Sequence, residues 1–426
     1  MMHLGVFVLG TGNHIAGWRH PGAFDSFQDI AVIQSIARTA ERGKFDLLFL
    51  GDGLKAGVDD HPSFTVRFEP VSMLAATTTH VGLGATSSTT YGAPWTVARA
   101  FATLDHLSHG RAAWNAVTSS NAEAGGNFGR NHPPHALRYE IAEEFVDVVR
   151  GLWDCWDDGA ILADRTTGRY IDATKVRALD HKGRHFDVKG PLNIGRCPQG
   201  LPIIIQAGAS EPGQQLAART ADLVFSVVQD MAESKAAIAT LKSRMPGFGR
   251  NPTDLKVLPG VMPIIGRTRT EAQDLLATLQ SYVDDTNALS MLSNRLGQDM
   301  SRFPLDGPVP DLPLPDTSHG FARTMLAKAH RDRMTLRQLY DLTAAARGHW
   351  VLCGTPADIA DTLQEWYEAG AADGFNILPP WFPGAFDDFV DHVVPELQRR
   401  NLFRREYAGT TLRDHLGLKR PKNTLV

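Results

Sequence analysis

Eight short, almost wholly apolar runs punctuate this 426-residue chain, at residues 4–9, 45–50, 81–86, 112–117, 202–206, 223–226, 256–266 and 375–378. A run such as Leu47-Leu-Phe-Leu50 leaves no polar position for a wetted side, so it suits a parallel strand covered on both faces. Helix-length stretches lie between the runs. Residues 27–42 place Ile30, Ile33, Ile36 and Ala37 on one face, residues 95–106 follow Pro94, and residues 386–398 follow the last run. Strands alternating with helices in this way predict a closed (β/α)8 barrel of the TIM type rather than an open doubly wound sheet. Barrels routinely exceed the usual domain size of about 150 residues, so residues 1–426 read as one barrel domain.

Two stretches break the alternation. After strand four, residues 120–200 carry Gly125-Gly126, Pro133-Pro134 and a helix at 139–156 with Ile141, Phe145, Val148, Val149 and Leu152 on one side. After strand seven, residues 281–348 hold a Pro- and Asp-rich stretch at 304–315, then a basic helical stretch at 325–345. Insertions of this length in a barrel are expected to be a lid or a subunit contact.

Composition and missing motifs exclude several classes. With 43 Lys+Arg against 47 Asp+Glu, the chain lacks the basic excess that a nucleic-acid partner requires. Cys155, Cys197 and Cys353 are odd in number and widely spaced, which fits neither a disulfide framework nor a metal site and points to a reducing compartment. No basic leader opens the chain and no apolar stretch reaches about 18 residues, so a cytoplasmic protein without membrane spans is expected. No metal is expected: strand one lacks His-x-His, and His181 and His185 read as solvated surface. A GxSxG elbow is absent, and Gly10-Thr-Gly12 and Gly82-Leu-Gly84 each lack the third glycine of a dinucleotide fingerprint.

In such a barrel the chemistry lies at the carboxyl ends of the strands. Those ends read Gly51-Asp52-Gly53, Thr86-Ser-Ser88-Thr-Thr90, Trp114-Asn115-Ala-Val-Thr118-Ser119 and Gln206-Ala-Gly208-Ala-Ser210-Glu-Pro-Gly213. The rim is therefore rich in hydroxyls, amides and glycines and poor in charge. Gly208 permits close backbone approach and Ser210 opens a helix, a combination suited to one phosphate. Ser210 read alone is an ordinary N-cap in a tight turn. His135 and Tyr139 fall one helical turn apart, as a ligand clamp or as two surface residues beside a Pro-Pro turn. Asp52 is a site carboxylate or a loop cap, and Asn115 a site amide or a partner of its own backbone.

Taken together, Phe-Leu-Gly-Asp52, Ala-Thr-Ser-Ser88-Thr-Thr, Leu104-Asp-His-Leu-Ser-His-Gly110-Arg111, Trp114-Asn115, Arg138-Tyr139 and Gln206-Ala-Gly-Ala-Ser210 resemble the bacterial-luciferase-like flavin monooxygenases. The closest resemblance is to the subgroup acting on nitrilotriacetate, EDTA and dibenzothiophene sulfone. That resemblance implies a two-component monooxygenase using reduced FMN, supplied by a separate NAD(P)H:flavin reductase, and O2. One oxygen atom would enter a small organic substrate through a flavin peroxide or C4a-hydroperoxide. It further implies Asp52, Ser88 and Asn115 near the isoalloxazine, with His135, Tyr139 and Ser210 at the phosphate. His135 is preferred to His132 because it stands four residues from Tyr139. His14 and His319 are the candidate acid–base groups, and Trp18, Phe24, Phe64, Trp381 and Phe382 suggest an apolar cavity. A homodimer or homotetramer is expected. A deazaflavin-dependent oxidoreductase of the same fold, or a non-catalytic flavin-binding protein, are the competing readings.

Overall fold

The computed structural model describes residues 1–55, 68–313 and 319–425. Nine parallel strands form its main sheet: β1 (His3–Val8), β2 (Leu47–Leu50), β3 (Gly82–Ser88), β4 (Ala112–Val117), β5 (Ile203–Gln206), β6 (Leu223–Ser226), β7 (Lys256–Ile265), β8 (Trp350–Gly354) and β9 (Gly374–Ile377). Pairing runs β1-β2-β3-β4-β5-β6-β7-β9 and closes on β1, so eight strands make the expected barrel.

The ninth strand, β8, lies outside the eight runs read from the sequence. It pairs with the far half of β7, from Val261↔Trp350 to Ile265↔Gly354, while the near half pairs with β6 from Lys256 to Pro259. One long strand thus serves the barrel first and an outer extension afterwards. Trp350, Val351 and Leu352 are only half-buried, which is why this run carries a weaker apolar signal.

Side-chain alternation sets the layers. Leu47, Phe49, Ala113, Ile203, Ile205, Leu223, Phe225 and Leu258 pack as one cluster inside the barrel, with Phe49 stacked on Phe7 at 5.1 Å and tilted against Phe225 at 4.8 Å. Their neighbours face the helices. Trp114 is fully buried among Phe101, Phe145 and Trp153. Several helix limits differ from the sequence reading. The first helix starts at Ile30, because Asp29 caps it by accepting from the Ala31 N–H at 2.8 Å. The final helical segment is split by a wider turn at Phe389–Val393.

Both insertions fall where expected. The one after β4 contributes helix His135–Trp153 and two short hairpins, Ile161–Asp164 with Arg169–Ile171 and His181–Lys182 with Asp187–Val188. The one after β7 has an apolar cluster of its own, including Leu292, Leu296, Met300, Met325 and Leu339. The single helical stretch expected at 325–345 is two helices, His319–Arg331 and Leu336–Ala346. Arg333 turns the chain at φ 51°, and Thr335 with Gln338 then forms a capping box. This insertion is fastened to the β1 loop: the Ile15 N–H donates to the Ala344 carbonyl at 3.1 Å, and Arg19 Nη1 to the Tyr282 carbonyl at 2.6 Å.

Candidate active site

The carboxyl ends of β2 to β5 frame a cavity of about 810 Å³, lined by Asp52, Ser88, Ser119, Tyr139, Gln206 and Gly208 among others. That volume is typical of sites for small organic molecules, about 300–1,000 Å³.

Hydrogen bonds knit its floor. Ser88 Oγ accepts from the backbone N–H groups of Thr90 and Tyr91 at 3.1 and 3.2 Å and from the Ser119 hydroxyl at 2.7 Å. Ser119 itself is left-handed, at φ 49°. Asn115 Nδ2 donates to Thr86 Oγ1 at 3.0 Å, and that hydroxyl donates to the Leu50 carbonyl at 3.1 Å. Asn115 therefore reaches across to β3 rather than to its own backbone, leaving Oδ1 buried without a donor. Gln206 is buried too, and its Nε2 has no acceptor. Buried polar atoms left without partners are rare, and of these two residues Gln206 lines the cavity while Asn115 does not.

At the far end, Ser210 is the N-cap of helix Glu211–Thr220, its Oγ accepting from the Gly213 N–H at 3.3 Å. The cap uses the oxygen as acceptor and leaves the hydroxyl proton for another group. Gly208 and Gly213 are packed together: a Cβ on Gly208 would stand 2.9 Å from Tyr139 Oη and 3.0 Å from Gly213 Cα. The rings of His135 and Tyr139 lie 5.0 Å apart on the first turns of helix His135–Trp153. Two segments distant in sequence thus meet at Tyr139 and Gly208, which line the cavity, while His135 and Ser210 are not among its lining residues.

Other expected residues stand apart from this cavity. His14 is buried beneath the β1 loop, where Nδ1 accepts from the Ala16 N–H at 3.1 Å. Burial, reinforced by the Arg347 charge and opposed by Gln280, pulls its pKa down to about 3, so the ring is neutral with its proton on Nε2. His319 opens its helix, but its side chain lies outside the described residues, as does Phe64. Trp18 is 43% exposed, whereas Trp381 and Phe382 are core residues, so these aromatics do not line the cavity. His181 and His185 find carboxylate partners across the fold, Glu144 at 3.1 Å and Glu140 at 3.0 Å. Among the described residues no cluster of three or more such groups could hold a metal ion.

Sequence reasoning gave no role to Tyr91, Arg138, Ser119 or Gln206. Tyr91 and Phe128, both lining the cavity, stack at 4.7 Å, and the Tyr91 hydroxyl hydrogen-bonds His132 Nδ1 at 2.7 Å behind them. The Arg138-Tyr139 and Gln206-Ala-Gly motifs and the strand end Trp114-Asn115-Ala-Val-Thr118-Ser119 signalled three of them, and nothing signalled Tyr91.

A closed parallel barrel with a roomy, hydrogen-bonding cavity at the carboxyl ends of its strands is the architecture of a barrel enzyme. The chain belongs to the luciferase-like monooxygenase family, which matches residues 2–373. It is 46% identical to N-acetyl-S-(2-succino)cysteine monooxygenase of Bacillus subtilis, over 99% of this chain and 97% of that one. Identity is also 46% to nitrilotriacetate monooxygenase component A of Aminobacter aminovorans, over 100% and 98% of the two chains. The solved EDTA monooxygenase of Chelativorans sp. BNC1 superposes with a TM-score of 0.80 at 32% identity, covering 98% of this chain and 99% of that one. The protein is a two-component, FMN-dependent monooxygenase that uses O2 to oxygenate a small organic substrate.

Proposed function

We propose that FMN lies in the β2–β5 cavity with its phosphate at the Gly208–Ser210 turn, against Tyr139 and His135, and its ring over Asp52, Ser88 and Asn115. The observation that carries this is the approach of Tyr139 to Gly208, both lining the cavity, two residues before Ser210 caps helix Glu211–Thr220 and leaves its hydroxyl proton free to donate. Reduced FMN, when bound, supplies the electrons that activate O2. The chain's own task is to fix the cofactor and keep water away, which suits the first insertion, whose Asn121, Phe128 and Tyr139 line the cavity. His14, neutral and carrying a proton on Nε2, and His319 from the second insertion are the proposed proton-handling groups.

A separate NAD(P)H:flavin reductase delivers the reduced cofactor in this reading. It is supported by the designation "component A" of one relative and by the absence of a dinucleotide fingerprint here. Assembly as a homodimer or homotetramer and a cytoplasmic location belong to the same proposal; three unpaired cysteines support the latter. Among the described residues, no helix is long and apolar enough to cross a membrane. The relatives' names point to small compounds bearing a thioether, an amine or a sulfone. Product analysis with reduced FMN, O2 and a panel of such compounds is the test: a product one oxygen heavier supports the reading, and hydrogen peroxide alone from every compound contradicts it.

A further inference from the structure

Among the described residues four arginines are buried, and three have their charge met by a carboxylate or by a full set of acceptors. Arg404 pairs with Asp46, Arg413 pairs with Asp222 at 3.0 Å, and Arg111 fills its guanidinium with the Ser108, Val81, Ala75 and Thr78 oxygens. Arg138 is the exception. It is 2% exposed, yet only Nη1 is bonded, to the Ser119 carbonyl at 2.7 Å and the Thr118 carbonyl at 3.3 Å. Its Nε is buried without an acceptor. The charged or ionisable groups that act on it are Tyr139 and Tyr91, not a carboxylate.

Its position makes the imbalance worse. Arg138 stands in the first turn of helix His135–Trp153, where the helix end is already positive and no acidic residue is present. A buried cation with one nitrogen bonded and no counter-ion is costly, and such charges are normally paired. Thr118 and Ser119, which accept from it, line the 810 Å³ cavity, and so does Tyr139, its neighbour in sequence. Arg138 is not itself a lining residue; it adjoins the cavity through Thr118, Ser119 and Tyr139, and a negative charge bound there would offset its own.

We propose that Arg138 provides the positive charge that balances the FMN phosphate and so makes the site select phosphorylated flavin over riboflavin. The inference rests on placing the phosphate at Tyr139 and the Gly208 turn. It adds a buried charged determinant to the neutral donors of the Tyr139–Ser210 side of the site.

Equilibrium titration of FMN and of riboflavin, followed by flavin fluorescence, tests it without turnover. Arg138→Gln should weaken FMN roughly 10- to 100-fold, the size of a lost charge-assisted interaction, while riboflavin affinity stays within about twofold. Arg138→Lys, which keeps the charge, should retain most of the preference for FMN. In the unaltered protein, rising salt should weaken FMN but not riboflavin. Equal losses for both flavins, or a lysine variant as poor as the glutamine one, would show that Arg138 merely braces Thr118 and Ser119. Intact FMN affinity in Arg138→Gln alone overturns the inference and leaves the phosphate placement standing. Intact affinity in Ser210→Asp and Tyr139→Phe as well removes the placement itself.

Discussion

A side chain at residue 208 would be crowded from two sides, with a Cβ 2.9 Å from Tyr139 Oη and 3.0 Å from Gly213 Cα. The atoms that a Cβ would meet include the Gly213 backbone, which cannot swing aside like a flexible side chain. Gly208→Ala should therefore lower FMN affinity at least tenfold and destabilise the fold by about 1–3 kcal/mol, the usual cost of overpacking, as read by flavin titration and urea unfolding. Ser210 separates binding from folding more cleanly. Aspartate is as good an N-cap as serine, so Ser210→Asp should unfold within about 0.5 kcal/mol of the parent. Its carboxylate would nonetheless face the phosphate, and FMN affinity should fall about 100-fold or more. Unchanged affinity would move the anchor elsewhere. The sequence already showed the residue types at this site, because strand ends and a helix start are local signals. Arg138 was not legible in the same way: its importance comes from burial and a missing partner, which only the folded chain defines.

At the level of elements, apolar runs located all eight barrel strands, because strands covered on both faces have almost no polar positions to blur them. The reading failed at β8, a half-buried strand that extends β7 outside the closed barrel, and within 325–345, where Arg333 and the Thr335 cap end one helix and begin another. Both errors have a common origin: edges and breaks are set by caps and backbone turns rather than by apolar periodicity. The layer between β4 and its helices depends on Trp114, which meets Phe101, Phe145 and Trp153 at ring separations of 5.9–6.2 Å. Trp114→Ala should cost about 3–5 kcal/mol. The midpoint of urea unfolding should drop accordingly; a loss below about 1 kcal/mol would mean that the layer collapses around the gap.

Across the whole molecule, buried titratable groups set the response to acid. His14 and His415 are buried with pKa values pulled down to about 3 and about 4, chiefly by desolvation. The unfolded chain binds protons at these rings first, so their contribution is complete above about pH 6.5 and is lost as pH falls toward the folded values. Asp105, buried against Gln199 and Ala112, is pushed up to about 6 and acts in the opposite direction, favouring the fold below the ordinary aspartate range and losing that benefit as pH rises through 6. His415→Gln should therefore be less acid-sensitive than the parent between pH 6.5 and 4.5, by at most about 1.4 kcal/mol per pH unit. Parallel stability curves for the two proteins would exclude the ring as a source of acid lability.

A barrel rim that grips one flavin nucleotide at two ends is the claim on which the functional account depends. A crystal structure of the FMN complex tests it most directly. The account predicts the phosphate hydrogen-bonded to Tyr139 and Ser210 beside Gly208, with the ring over Asp52, Ser88 and Asn115. A phosphate lodged away from that turn, or a ring outside the β2–β5 cavity, would contradict it.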